Sequence, residues 1–124
     1  MFQVTSARVD LTIQDNATFE DAFQFGTPGD TTWSFTGQTF RMDIKASFDD
    51  AVALASYTSG AGQIVVDDAV NRILHMNVPE ATIQAALPPA EYQYELMMID
   101  GSTPAIRVPL MHGEITITHG ITGG

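Results

Sequence analysis

Trp33-Ser34-Phe35-Thr36-Gly37-Gln38-Thr39-Phe40-Arg41-Met42-Asp43-Ile44-Lys45 is a turn running into an alternating strand, and Glu91-Tyr92-Gln93-Tyr94-Glu95-Leu96-Met97-Met98-Ile99-Asp100-Gly101 is a long strand closed by an Asp-Gly turn. In the first, Phe40, Met42, Ile44 and Ala46 fall on one side, with Arg41, Asp43 and Lys45 on the other, as in a sheet with one dry and one wet face. In the second, Tyr92, Tyr94, Leu96 and Met98 form the inward row. Met97 and Ile99 fall opposite them. A strand apolar on both sides is either central under cover or faces a partner.

Around these two stretches the chain reads as a succession of short strands. Val9 to Ile13 alternates apolar and polar, and Gln14-Asp15-Asn16 supplies a turn. Ala17 to Phe25 places Phe19, Phe23 and Phe25 on one face, and Thr27-Pro28-Gly29-Asp30 breaks it. Phe48 to Tyr57 is read as a strand or edge segment, with a short helix capped by Asp49 as the alternative. Gln63 to Val66 is β-branched and ends at Asp67-Asp68, and Arg72 to Val78 presents Leu74, Met76 and Val78 on one face. Pro79 to Leu87 is the one helical piece. Proline suits a first helical turn because its missing N–H would be unpaired there, Glu80 complements the helix dipole, and Pro88-Pro89 stops the run. Asp100-Gly101 is a favoured hairpin dipeptide. Ala105 to Met111 returns as a strand in which Pro109 points to an edge or bulge, and Gly113 to Thr118 is the last strand.

About eight or nine strands with turns every ~8–12 residues predict an all-β, Ig-like antiparallel β-sandwich with one short crossover helix at about residues 80–87. The expected organisation is an N-terminal arm over 1–8, one sandwich domain over 9–119 and a flexible tail over 120–124.

At 124 residues and 44% hydrophobic the chain carries enough apolar residues for a core without disulfide or metal staples. Cysteine is absent, which excludes thiol nucleophiles and thiolate metal sites. The net charge of −10 repels phosphate, so neither nucleic acid nor an anionic membrane is an expected partner. The N-terminal residues lack a basic region followed by an apolar stretch, and no apolar run approaches the ~20 residues of a membrane-spanning helix. The chain is therefore read as cytosolic in its producer.

Residues for chemistry are sparse. His75, His112 and His119 form no metal-ligating pair, and His75 falls opposite the Leu74/Met76 face. Asp49-Asp50 and Asp67-Asp68 are sequence neighbours that point to opposite faces of a strand, which makes poor acid–base dyads. They match no calcium loop. Serines lack a nucleophile elbow, Gly60-Ala61-Gly62 opens no helix, and Asn16-Ala17-Thr18 is a glycosylation acceptor in a chain without a signal peptide. No enzyme activity, cofactor, metal or small-molecule substrate is expected. Trp33, Tyr57, Tyr92 and Tyr94 would stack on sugar rings in a carbohydrate-binding module, although Tyr92 and Tyr94 share the inward row of Leu96.

Read in order, these landmarks resemble a family of small phage virion domains, best known as the N-terminal domain of the baseplate upper protein of lactococcal siphophages. The order begins with Asp10-Leu11-Thr12-Ile13, a polar turn and Thr18-Phe19. It continues with the Thr36-Gly37 turn and its strand to Lys45, a β pair around a short loop, and the helical piece Ala81 to Leu87. It closes with Tyr92-Gln93-Tyr94-Glu95-Leu96 and Gly113-Glu114-Ile115-Thr116-Ile117. The resemblance covers about Val9 to Thr118. It implies a non-enzymatic virion structural protein, assembled in the host cytoplasm, that docks on a phage tail, baseplate or neck. The implied partners are other virion proteins and copies of itself in a symmetric homo-oligomer. A chain that stops after this domain would be a separate subunit such as a plug, collar or decoration, and a capsid decoration protein is the alternative within the same class. The candidate contact residues are Trp33 and Phe35 in the turn and Met97 and Ile99 on the strand, since aromatic residues and methionine are the usual anchors of such patches.

Overall fold

The computed structural model describes residues 7–27, 29–30, 32–100 and 106–119. Nine strands and one helix follow in order: β1 (Ala7–Arg8), β2 (Leu11–Gln14), β3 (Ala22–Gln24), β4 (Thr39–Lys45), β5 (Ala55–Thr58), β6 (Ile64–Asp68), β7 (Ile73–Met76), α1 (Glu80–Ala86), β8 (Ala90–Asp100) and β9 (Ile106–Thr118). They form two sheets. The larger runs β1-β9-β8-β4-β5, with β2 also on β9, and the smaller runs β3-β7-β6. The inward rows of both sheets meet in one core that includes Phe19, Leu74 and Met76 from one side and Met42, Ile44, Tyr94 and Leu96 from the other. The fold is an Ig-like β-sandwich. Strands β4, β8 and β9 take the places of C, F and G, β5 that of C′, and β3, β7 and β6 those of B, E and D.

A second Ig hallmark stands at the start of β8. The Tyr92 hydroxyl donates to the Pro88 carbonyl, four residues upstream, as a tyrosine corner does. Two residues on, where an antibody domain carries its second cysteine, this chain has Tyr94. Helix α1 enters from Pro79 in extended conformation, buries Ile83 and leads into the buried Leu87. Gln84 Nε2 donates to the Asp15 carbonyl at 2.7 Å, which ties the helix to the end of β2.

Three expectations are corrected. The sandwich is not wholly antiparallel: β1 and β2 join the β9 edge in parallel, with Leu11 opposite Ile115 and Ile13 opposite Ile117. The expected arm therefore ends inside the sheet, at Ala7 and Arg8; its first six residues, the tail from residue 120 and the hairpin turn after Asp100 lie outside the described residues. The two last strands are one, because Gly113 continues the β9 ladder instead of ending it. The expected irregularity at Pro109 is a bulge, with Met97 opposite Pro109 and Leu96 opposite Met111. Finally, of the segment from Phe48 to Tyr57 only Ala55 onward is strand. Asp50 and Ser47 hold a turn before it, with Asp50 N–H donating to the Ser47 carbonyl at 3.1 Å and Ser47 N–H to the Asp50 carboxylate at 3.2 Å.

Two local devices explain the edges. At Gly113 a Cβ would overlap the Val9 carbonyl oxygen and stand 2.9 Å from Asp10 Oδ1. The bare glycine lets the first strand cross close over β9, where the Tyr94 hydroxyl donates to the same Val9 carbonyl and Asp10 Oδ1 accepts the Glu114 N–H at 3.0 Å. At the other end, Arg72 is fully buried and has a left-handed φ of 58°. Its guanidinium donates to five backbone carbonyls: Nε to Phe25 (2.8 Å), Nη2 to Thr27 (2.8 Å), and Nη1 shared among Asp30 (2.6 Å), Trp33 (3.0 Å) and Val70 (2.9 Å). The guanidinium also lies 5.0 Å from the centre of the Trp33 ring. Gly26 leaves room for this stack, since a Cβ there would come within 3.1 Å of Arg72 and 3.2 Å of Trp33.

Arg72→Met is expected to lower the unfolding free energy by about 3–5 kcal/mol, because it leaves those carbonyls without a donor. Arg72→Gly, which also relieves a left-handed backbone strain of roughly 1 kcal/mol, is expected to destabilise all the same. Gly113→Ala is expected to cost about 1–3 kcal/mol from overlap at Val9. Urea or guanidinium denaturation curves check all three, and an Arg72→Gly variant as stable as the parent would refute the role given to the guanidinium.

Candidate functional site

The outward face of the large sheet is the surface that the alternation leaves uncovered. The register places its residues in rows across β9, β8, β4 and β5. One row holds Arg107, Ile99 and Thr39, the next Pro109, Met97, Arg41 and Thr58, and the third His112, Glu95, Asp43 and Ser56, extended by Arg8 on β1. A fourth holds Glu114, Gln93 and Lys45. Met97 and Ile99 sit here half-buried, hemmed by Arg41, Pro109 and Thr39, and among the described residues no strand or helix lies over them. Both lie where the alternation of β8 puts them.

Asp43 organises the middle of the face. Its carboxylate Oδ1 accepts from Arg41 Nε at 2.7 Å and from the Ser56 hydroxyl at 2.7 Å, and Arg41 Nη2 donates to Ser56 Oγ at 3.2 Å. Beside this cluster Asp43, Lys45, Gln93 and Glu95 line a shallow depression with Phe48 as its outer wall. Phe48 is 50% exposed, and Val52 and Leu54 in the same β4–β5 connection are 77% and 49% exposed, so the rim of the face at β5 sets apolar side chains beside the exposed Asp49 and Asp50.

Charge is distributed unevenly. Apart from the buried Arg72, every basic residue of the chain lies on this sheet: Arg8, Arg41, Lys45 and Arg107. The same face and its β2 edge carry Asp10, Asp43, Glu91, Glu95 and Glu114. With Asp49 and Asp50 on the β4–β5 rim, four cations stand against seven carboxylates, which leaves three of the chain's ten net negative charges on this face and its edges and seven elsewhere.

Trp33 and Phe35 are not on this face, and Phe35 is no contact residue. It is 2% exposed in the core, with its ring 4.7 Å from Phe40 and 5.9 Å from Phe25. The turn that holds it is drawn inward because the Phe35 N–H donates to the Ala69 carbonyl at 2.9 Å. Trp33 is half-buried, edge-on to Phe35, and meets the Arg72 guanidinium. The tyrosines proposed for sugar stacking are also interior: Tyr57, Tyr92 and Tyr94 all belong to the core. The Arg41–Asp43–Ser56 cluster escaped sequence reasoning, although Arg41 and Asp43 at period two on a wet strand face were its visible half.

The remaining polar groups serve the loops. Asp67, the extra residue where the β6 register slips, meets His75 Nδ1 at 2.8 Å, which puts His75 on the half-exposed outer side expected of it. The Asp15 carboxylate meets His119 Nδ1 at 3.3 Å. Hydrogen bonds from Thr32 hold the Asp30 carboxyl below the usual carboxylate range, and those from Asn71 do the same for Asp68, with the Arg72 charge a smaller contribution to each. That stabilisation is present above the ordinary carboxylate range and is lost as pH falls through the lowered values. Among the described residues no three of His, Asp or Glu gather as metal ligands.

No protein-family model matches the chain, and no curated protein is similar to it. Among solved structures it is similar to the Ig1 domain of mouse SynCAM 2, at 13% identity over 96% of this chain and 99% of that one, with a TM-score of 0.38.

Burial raises the pKa of all three tyrosines, Tyr57 to about 12. A native state that favours the protonated phenol keeps its full stability below the unfolded tyrosine value of about 10 and loses it as pH rises through the folded values. Absorbance at 295 nm is therefore expected to show less tyrosinate near pH 10 than three phenols of the unfolded chain would give, with a further rise as the chain unfolds at higher pH. Tyr57 also has a buried hydroxyl without a hydrogen-bond partner among the described residues. Tyr57→Phe is expected to leave stability unchanged or raise it by up to about 1 kcal/mol, read from the denaturation midpoint.

Proposed function

We propose that the chain is a non-enzymatic structural subunit of a phage particle, a small β-sandwich that docks on the tail, baseplate or neck through symmetric protein–protein contacts. The order of landmarks from Asp10 to Thr118 supports the virion reading. The observation that carries the docking reading is the outward face of the large sheet, where a central strand presents Met97 and Ile99 beside rows of mixed charge. Apolar residues on a sheet face with nothing over them in the monomer are what an assembly interface requires. Met97 and Ile99 are retained as contact residues, with Arg41 beside Met97 and Lys45 two rows further along β4. Phe35 is withdrawn, and Trp33 is assigned to packing against Arg72.

A capsid decoration protein would use the same face, and only its place in the particle separates the two readings. The carbohydrate-binding alternative is disfavoured by position: of its four aromatic residues three lie in the core, and the fourth meets a guanidinium.

Mass spectrometry and immunogold labelling of density-banded particles from the producing host test the proposal. The expected result is the chain in purified particles at a fixed copy number, with label at the tail or neck. Label over the whole head selects the decoration reading. A chain confined to the soluble fraction of the lysate refutes both.

A further inference from the structure

We propose that a second copy of this chain docks on the outward face of the large sheet, forming a two-fold dimer whose axis lies in the interface and runs along β8. The inference rests on the structural-subunit reading and gives it a partner, a surface and a symmetry.

Charge selects the surface. Seven of the ten net negative charges lie off this face and its rim, where the one other basic residue, Arg72, is buried, so two copies approaching by another side repel one another. The outward face alone brings cations and carboxylates in nearly equal number, interleaved along β9, β8 and β4. Such a surface meets a copy of itself without a net repulsion.

The register selects the axis. A two-fold along β8 keeps every residue in its row and exchanges β9 of one copy with β4 of the other. Met97 then lies over the second copy's Met97, and Ile99 over the second copy's Ile99, so the apolar residues of the face cover each other on the axis at its Ile99 end. In the rows beside them, Glu114 on β9 falls over the second copy's Lys45 on β4, and His112 over the second copy's Asp43. Each of these pairs occurs twice. A two-fold across the strands instead exchanges the Met97 row with the Glu114 row and brings Arg41 over the second copy's Lys45, a like-charge contact. The axis along β8 carries two like-charge contacts, Glu95 over the second copy's Glu95 and, at the end of the strand, Glu91 over the second copy's Glu91, which weaken the dimer and mark its geometry.

The area sets the strength. Rows from Ile99 to Gln93 span about 20 Å, and the strands from β9 to β5 span a similar width of about 15–20 Å. Two copies would bury roughly 600–800 Å² together, below the range of tight complexes, so the pair is weak and concentration-dependent in solution. In a particle the same contact is reinforced by the other attachments of each subunit.

Sedimentation velocity of the full chain across a concentration series tests this, with circular dichroism confirming that each variant is folded. The parent is expected to shift from monomer to dimer with rising concentration. Lys45→Glu and Glu114→Lys are each expected to weaken the dimer by roughly tenfold or more, and the double variant to restore it, since the two charges exchange places across the axis. Glu95→Gln is expected to tighten the dimer several-fold. A chain that stays monomeric throughout, a dimer indifferent to both single charge reversals, a double variant that fails to restore association, or a Glu95→Gln dimer no tighter than the parent overturns the inference. A monomeric chain still found in purified particles would refute this dimer and leave the structural-subunit reading standing. A dimer absent from particles would do the reverse.

Discussion

A buried guanidinium holds one end of this sandwich together. Arg72 sits at the end of the β6–β7 connection in a backbone conformation that residues with a Cβ seldom adopt, and its five hydrogen bonds reach carbonyls of the β3–β4 connection and of its own turn. An irregular loop needs donors for its carbonyls wherever water is excluded. One planar group with five N–H bonds supplies them at once, and no neutral side chain offers as many. The positive charge is not matched by a buried carboxylate; it is balanced by carbonyl dipoles, the Trp33 ring and the nearby Asp30 and Asp68.

This arrangement has a consequence for the aromatic turn. With Trp33 engaged by Arg72, the chain descends into the core at Phe35, and a run of ring contacts passes from Trp33 through Phe35 to Phe40 on β4. The turn that a sequence reading places at a surface is thereby a link between the two sheets. Among the described residues the outward face of the large sheet has no strand or helix over Met97 and Ile99, and its cations are kept there while the rest of the molecule is acidic.

Much of the architecture was legible because each strand carries its own alternation. The inward rows of β4 and β8, the seven-residue helix after Pro79, the bulge at Pro109 and the exposed side of Met97 and Ile99 all follow from local period and punctuation. What was not legible involves residues far apart in the chain. The parallel addition of β1 and β2 to β9 joins positions about a hundred residues apart, and β2 has the same alternation it would have in an antiparallel pair. Gly113 reads as the start of a strand because glycine usually interrupts one. Its reason for being there, the Val9 carbonyl passing over it, exists only after folding.

The sequence by itself determined which face of each strand is dry, where the single helix begins and ends, and that Met97 and Ile99 would stand apart from the core, because side-chain direction along a strand depends on position alone. The tertiary structure decided which aromatic residues are interior, that Arg72, read from the sequence only as the first residue of a strand, is fully buried on five backbone carbonyls, and that the four remaining cations share one sheet. Those outcomes depend on which strands lie side by side, and pairing between distant strands is settled by the whole core closing at once.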